Sequence, residues 1–151
     1  MGIKEQIDAD LKQAMLSGNK TLVTTLRGLK SVILYAEVAK GSRDEGLGET
    51  ELIELLSKET KKRQESADLF ASGGNEEKAQ VERKEKEVIE EYLPAQLNDL
   101  ELAEVVDEVV GSLDASGPQA IGQAIGAVKQ RLGGQADGGR IAAAVKKRLS
   151  Q

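Results

Sequence analysis

The chain has 151 residues, a net charge of −5, 39% apolar residues, 31% charged residues and only 2% aromatic residues. With no Cys and no His it lacks disulfides, thiolate metal sites, cysteine nucleophiles and the commonest general base. No apolar run approaches the ~20 residues of a membrane span, and M-G-I-K-E-Q-I-D has acids where a signal peptide needs an apolar core, so the expectation is a cytoplasmic protein, or an organelle protein with its presequence removed.

Ile3, Ile7, Leu11 and Met15 recur at four-residue spacing and predict a helix over 3–17. Gly18 ends it, and Asn19 caps a second helix over 20–40. The second helix buries Leu22, Leu26, Leu29, Ile33 and Ala36, a face widened by Val23 and Val32. Residues 41–48 form a loop. Gly48 and Glu51 open a third helix over 49–71. Its apolar residues are Leu52, Leu55 and Leu56, then Ala67, Leu69 and Phe70. The middle, K-E-T-K-K-R-Q-E-S, is charged, with Lys58, Lys61 and Lys62 on one side and Arg63 close by.

Ser72-Gly73-Gly74 is a turn, and Asn75 caps a fourth helix running to about Leu93. Lys78–Glu82, Glu82–Lys86, Arg83–Glu87 and Lys86–Glu90 are opposite charges at i,i+4. Ala79, Val88, Ile89 and Tyr92 supply its burial. The third and fourth helices are expected to form a long antiparallel hairpin whose far end projects from the core. Pro94 lacks an amide donor and drives Leu93 out of the α region, which ends the fourth helix. The expected fold is all-α with two domains: a four-helix domain over 1–93, a joint at 94–98, and a three-helix domain over 99–151.

In the second domain Asn98 and Glu101 make a capping box. Leu102, Val105, Val106, Val109 and Leu113 form the stripe of the fifth helix. Ser116-Gly117-Pro118 is a break, and the sixth helix carries Ile121, Ile125, Val128 and Leu132. Gly122 and Gly126 lie four apart on it. Each costs about 0.5–1 kcal/mol against alanine, so another backbone is expected to approach closely: a neighbouring helix, which is favoured, or a nucleic-acid strand. Gly133-Gly134 ends the sixth helix. Asp137 caps the seventh, with Ile141, Val145 and Leu149 inside and Lys146, Lys147 and Arg148 outside.

Charge is segregated here. Residues 95–117 hold six acids and no base. Residues 118–151 hold Lys129, Arg131, Arg140, Lys146, Lys147 and Arg148 against the single acid Asp137. Attraction between neighbouring helices accounts for this pattern and is favoured on charge alone. A basic face for a polyanion is the second reading.

No metalloprotease, P-loop or nucleophile-elbow motif occurs. Gly133–Gly139 is glycine-rich and precedes a helix, but Asp137 as the cap occupies the free amides and repels an anion. Asp107 and Glu108 are adjacent on a helix and point apart, which makes a poor Mg²⁺ pair. No catalytic residue, metal ligand or cofactor is assigned, and the chain has no self-contained active site.

Four segments carry a family resemblance: T-L-R-G-L-K-S at 25–31, K-E-T-K-K-R-Q-E-S at 58–66, E-E-Y-L-P-A-Q-L at 90–97, and I-G-Q-A-I-G-A-V at 121–128 followed by G-Q-A-D-G at 134–138. In this order the chain resembles the YqeY family (GatB/YqeY domain proteins). The second half is also similar to the C-terminal tail of GatB, a component of the glutamine-dependent aspartyl/glutamyl-tRNA amidotransferase; that tail helps to hold misacylated tRNA. The resemblance implies an all-helical, two-domain protein with a tRNA-related tail and does not itself imply catalysis; the expected function is a non-catalytic, tRNA-related binding or accessory module. Carbon–nitrogen ligase activity with glutamine as donor is implied only within a complex. Lys129, Arg131, Arg140, Lys146, Lys147 and Arg148 are the candidate RNA contacts. Gln123 and Gln135 are uncharged where members of the family often carry Lys or Arg. The alternative is a protein-interaction adaptor, with Lys58, Lys61, Lys62 and Arg63 docking amidotransferase subunits or an aminoacyl-tRNA synthetase.

Overall fold

The computed structural model describes residues 2–113 and 119–150. Among the described residues are seven helices and no strand: α1 (Ile3–Ser17), α2 (Lys20–Lys40), α3 (Glu49–Ser72), α4 (Glu76–Glu90), α5 (Asp99–Ser112), α6 (Gln119–Leu132) and α7 (Gly138–Leu149). The expected break at Ser116-Gly117-Pro118 lies outside the described residues. The chain divides into two compact units, Met1–Tyr92 and Leu93–Gln151.

In the first unit α1 packs on α2 and α3 packs on α4. Helix ends follow local chemistry. Asn19 Oδ1 accepts from the Leu22 amide at 3.2 Å, and Asn75 Oδ1 from the Lys78 amide at 3.1 Å. Gly18 and Gly41 both close their helices at φ 74, a conformation open to glycine at little steric cost. Fully buried Ile7, Leu26 and Leu56 form the core, with Ile3, Leu29, Ile33 and Leu52 beside them.

The stripe expected on α1 drifts. Four-residue steps advance about 40° beyond a full turn, so after three of them Met15 has left the core and is 53% exposed, while Ala14 is buried in its place. Helix α4 stops at Glu90, short of Leu93; the Tyr92 amide bonds back to the Ile89 carbonyl at 3.0 Å, and a turn precedes Pro94. Tyr92 is buried, and its hydroxyl donates to Asp10 on α1 at 2.5 Å.

Two carboxylates lie inside this unit. Glu37 is 2% exposed and accepts from Lys4 Nζ through both oxygens, at 2.9 and 3.2 Å. Glu59 is 5% exposed and lies in the middle of the α3–α4 hairpin. Each continues an apolar stripe: Glu37 lies four residues after Ile33 on α2, and Glu59 three residues after Leu56 on α3.

In the second unit Leu102, Val106 and Val109 of α5 meet Ala124, Val128 and Leu132 of α6 and Ile141 and Val145 of α7 in one buried cluster. The seam of α6 runs through alanines, with Ala120 and Ala124 buried and Ile121 and Ile125 only partly so. The joint is tied into this unit: the Leu97 amide donates to the Gln135 carbonyl at 2.8 Å, and Gln96 Nε2 to the Gly134 carbonyl at 2.9 Å.

Candidate nucleic-acid interface and the charged hairpin

The six basic residues of α6 and α7 fall into two classes. All three arginines are engaged by α5 or the segment before it. Arg131 pairs with Glu108 at 2.5 Å and Arg148 with Asp107 at 2.6 Å. Arg140 reaches Asp99 and the Leu97 carbonyl, each at 2.9 Å. The attraction between neighbouring helices read from the charge segregation is therefore present in atomic detail. It also disposes of the Asp107–Glu108 cation pair, since each carboxylate holds a different arginine. Lys129, Lys146 and Lys147 are exposed and have no carboxylate partner among the described residues.

Arg140, Lys147 and Arg148 border a groove of about 560 Å³ between α5 and α7, floored by Leu102, Ala103 and Val106. Lys129 sits elsewhere, at the end of α6, where its ammonium lies 3.2 Å from the place a Cβ on Gly138 would take. Asp137 Oδ1 accepts from the Arg140 amide at 2.9 Å, so the α7 N-terminus is occupied by its own cap.

Gly122 and Gly126 correct the expectation of a packed neighbour. Both are exposed, and a Cβ added at either would meet nothing within 4 Å. The helices of the second unit pack on the alanine face of α6 and leave the glycine face open. Lys129 follows Gly126 by three residues and shares that face.

On the hairpin the four basic residues also separate. Lys58 and Lys61 are both exposed and without a carboxylate partner among the described residues, and Lys62 lies 3.3 Å from Glu59. Arg63 turns inward, where its guanidinium meets Glu82 at 3.1 Å, Glu85 at 3.3 Å and Glu59 at 3.7 Å. Burial opposes the Arg63 charge, but the Glu82 hydrogen bond and the fields of the three carboxylates outweigh it and raise its pKa. Burial also pushes the Glu85 carboxyl up, against the pull of Arg63. Of the four i,i+4 pairs expected along α4, only Lys86–Glu90 forms, at 3.4 Å. Glu82 bonds across the hairpin instead, and Arg83 reaches Glu76 at 2.6 Å.

This layer lines a cavity of about 230 Å³ closed on its other side by Thr25, Gly28, Leu29 and Val32 of α2. Two of the segments that carry the family resemblance thus meet there, T-L-R-G-L-K-S from α2 and K-E-T-K-K-R-Q-E-S from α3. Sequence reading missed this junction because every charge in α3 and α4 resembled solvated surface. The signal available was Arg63, which falls on a different side of α3 from Lys61 at helical spacing. No group of three or more carboxylates positioned to hold a metal occurs among the described residues.

The family model described as "Yqey-like protein" matches residues 4–149. The chain belongs to the YqeY family. Two curated relatives have the name "Altered inheritance of mitochondria protein 41, mitochondrial". The one from Eremothecium gossypii is 37% identical over 86 residues, 57% of this chain and 46% of the relative. The one from Clavispora lusitaniae is 34% identical over 87 residues, 58% of this chain and 49% of the relative. The matched segment of this YqeY-family chain spans about half the length of each relative. No helix among the described residues is long and apolar enough to cross a membrane.

Proposed function

We propose that this YqeY-family chain is a non-catalytic RNA-binding module whose second unit holds the backbone of a folded RNA, tRNA by the likeness of that half to the amidotransferase tail. The observation that carries this reading is the division of its basic residues: the arginines are paired with α5 carboxylates or the Leu97 carbonyl, whereas Lys129, Lys146 and Lys147 are exposed to solvent without an acidic partner among the described residues. Exposed ammonium groups suit phosphates, which fix position without reading sequence. The chain's scarcity of aromatic residues disfavours base stacking and suits recognition by shape. Chemistry, including any glutamine-dependent amide transfer, then belongs to partner subunits. The compartment is one that contains tRNA, cytoplasmic as the sequence suggests or mitochondrial as the relatives' names have it.

Fluorescence anisotropy with labelled tRNA tests this. Binding is expected at low salt and to weaken steeply as salt rises. Lys129→Ala, Lys146→Ala and Lys147→Ala should each flatten the log–log salt slope by a little under one unit. Absence of binding at low salt, or binding unaffected by the triple variant, would remove the RNA reading.

Docking by the hairpin is the second reading, and Lys58 and Lys61 favour it, because both reach solvent and neither is compensated by a carboxylate among the described residues. Lys62 and Arg63 are held by the hairpin's own carboxylates. Co-purification with amidotransferase subunits or a synthetase that survives nuclease and fails with Lys58→Glu/Lys61→Glu supports it; nuclease-sensitive association excludes it.

A further inference from the structure

The cavity between α2 and the hairpin is lined by two kinds of side chain. Leu29, Val32 and Ile89 are apolar, and Glu59, Arg63 and Glu85 are charged. At about 230 Å³ it is smaller than the ~300–1,000 Å³ of pockets that take drug-sized molecules, so it suits a small occupant.

The charged lining is one cation short. Glu59, Glu82 and Glu85 surround Arg63, and among the described residues Lys62 is the one further cation within 4 Å of any of them. Lys86 is turned to Glu90 at 3.4 Å and to Gln64 at 2.9 Å. Three carboxylates against two cations leave an excess of one negative charge. Glu59 is the least satisfied of the three, although it is only 5% exposed. Lys62 reaches its Oε1 at 3.3 Å with a side chain that is 68% exposed. Its Oε2 has the Arg63 guanidinium at 3.7 Å, beyond hydrogen-bond reach. A buried acceptor left without a donor is costly. Burial outweighs the pull of Arg63 on Glu85, and the Glu82 charge adds to it, so that carboxyl stays pushed up.

Gly28 keeps the α2 wall open. It lies in the interior of α2, where glycine weakens a helix. No neighbour needs the space it leaves, since a Cβ added there would meet nothing within 4 Å.

From these observations we infer that the cavity binds a small primary alkylammonium group, with its stem against Leu29, Val32 and Ile89 and its head donating to Glu59 Oε2 and Glu85. One positive charge offsets the excess, and an ammonium brings three donors and no acceptor. A divalent metal ion needs converging oxygens, and no group of three or more carboxylates positioned to hold one occurs among the described residues. An anion would meet the excess negative charge. Thr25 on the α2 wall offers it no donor, because its hydroxyl already donates to the Thr21 carbonyl at 3.1 Å. The site lies within the first unit, so the inference stands independently of the RNA reading.

The test is an NMR titration of the full ¹⁵N-labelled chain at pH 7.5 with n-butylammonium chloride, with 1-butanol and sodium butyrate as neutral and anionic controls. Amide shifts are read at Thr25–Val32, Glu59–Arg63 and Glu85–Ile89. Butylammonium is expected to bind saturably with Kd on the order of 1 mM, at least about tenfold more tightly than either control. Methylammonium, with the charge but no stem, should bind at least about fivefold more weakly. Glu59→Gln and Glu85→Gln should each weaken butylammonium at least about fivefold. Gly28→Leu puts a side chain into the open space and should abolish binding without lowering the melting temperature; if it does lower it, the two Gln variants still read the charge requirement. Nα-acetyl-lysine methylamide distinguishes the sources: affinity equal to butylammonium supports a protein lysine as the natural occupant, and weaker affinity supports a free amine. Equal affinity for butanol, no saturation up to about 50 mM, or binding unchanged in Glu59→Gln and Glu85→Gln overturns the inference. Methylammonium or Mg²⁺ binding as tightly as butylammonium would make this a site for inorganic or stemless cations and overturn it equally.

Discussion

Arg140 on α7 lies 2.9 Å from Asp99 at the start of α5, and the same nitrogen donates to the Leu97 carbonyl at 2.9 Å. The two bonds differ in worth. Asp99 is almost wholly exposed, so water competes for its charge, whereas the carbonyl bond fixes the segment entering α5. Asp99→Asn should change stability by less than about 0.5 kcal/mol. Arg140→Ala should cost about 1–2 kcal/mol. Urea unfolding of the two variants checks this, and equal losses would mean that the ion pair dominates.

Gly122 and Gly126 separate stability from binding. With open space at both positions, Gly122→Ala and Gly126→Ala should each stabilise α6 by about 0.5–1 kcal/mol. If this face receives the RNA backbone, the same methyl groups should weaken tRNA affinity. A raised melting temperature with unchanged affinity would place the RNA elsewhere on the unit.

The helices were legible because their signals are local. Asn19, Asn75, Asn98 and Asp137 cap as their residue types require. Apolar spacing places Leu26, Leu29, Ile33, Val106 and Val128 inside. What sequence periodicity does not carry is the choice of charged partners across space. Glu82 has Lys78 and Lys86 one turn away on its own helix and still bonds Arg63, which is part-buried and therefore less solvated. Glu37 and Glu59 are buried on faces where an aliphatic residue is the ordinary occupant, for the same reason: each has a cation from elsewhere in the fold, or one turn on, to hold it. The six-residue basic set was legible as a list, but the pairing of its arginines depends on where α5 lies.

The Glu59–Arg63–Glu82–Glu85 layer predicts a pH dependence. The Glu85 pKa is raised above its ordinary 4.5 in the folded chain, first by burial. Between the ordinary and raised values the folded state binds more protons than the unfolded state. Stability from this group is therefore greatest in acid and declines as pH rises through that interval. Comparing wild type with Glu85→Gln from about pH 4 to 7 isolates the effect: the variant should gain relative to wild type as pH rises. Arg63→Met leaves three carboxylates facing one another and should cost about 2–4 kcal/mol at neutral pH, with part of the loss recovered in acid.

Tyr92 joins the end of the hairpin to α1 through Asp10. Tyr92→Phe should cost about 1–2 kcal/mol. Burial, then the Asp10 hydrogen bond, raises the phenol pKa above 10.0. The folded state keeps its proton where the unfolded chain loses it, so this contribution is whole below about pH 10 and fades as pH climbs through the folded value. Alkaline unfolding should therefore be more gradual in Tyr92→Phe than in wild type, and superimposable curves would exclude the effect.

The polar layer inside the hairpin also bears on alignment. Glu82 has Lys78 four residues before it and Lys86 four residues after. Sliding α4 along α3 by one turn, in either direction, would bring a lysine against Arg63 in the place of Glu82. An all-leucine seam would tolerate such slippage with little loss, because one leucine layer resembles the next. Here the misregistered hairpins are penalised by like charge, so a segment poor in apolar residues still settles on a single pairing of its two helices.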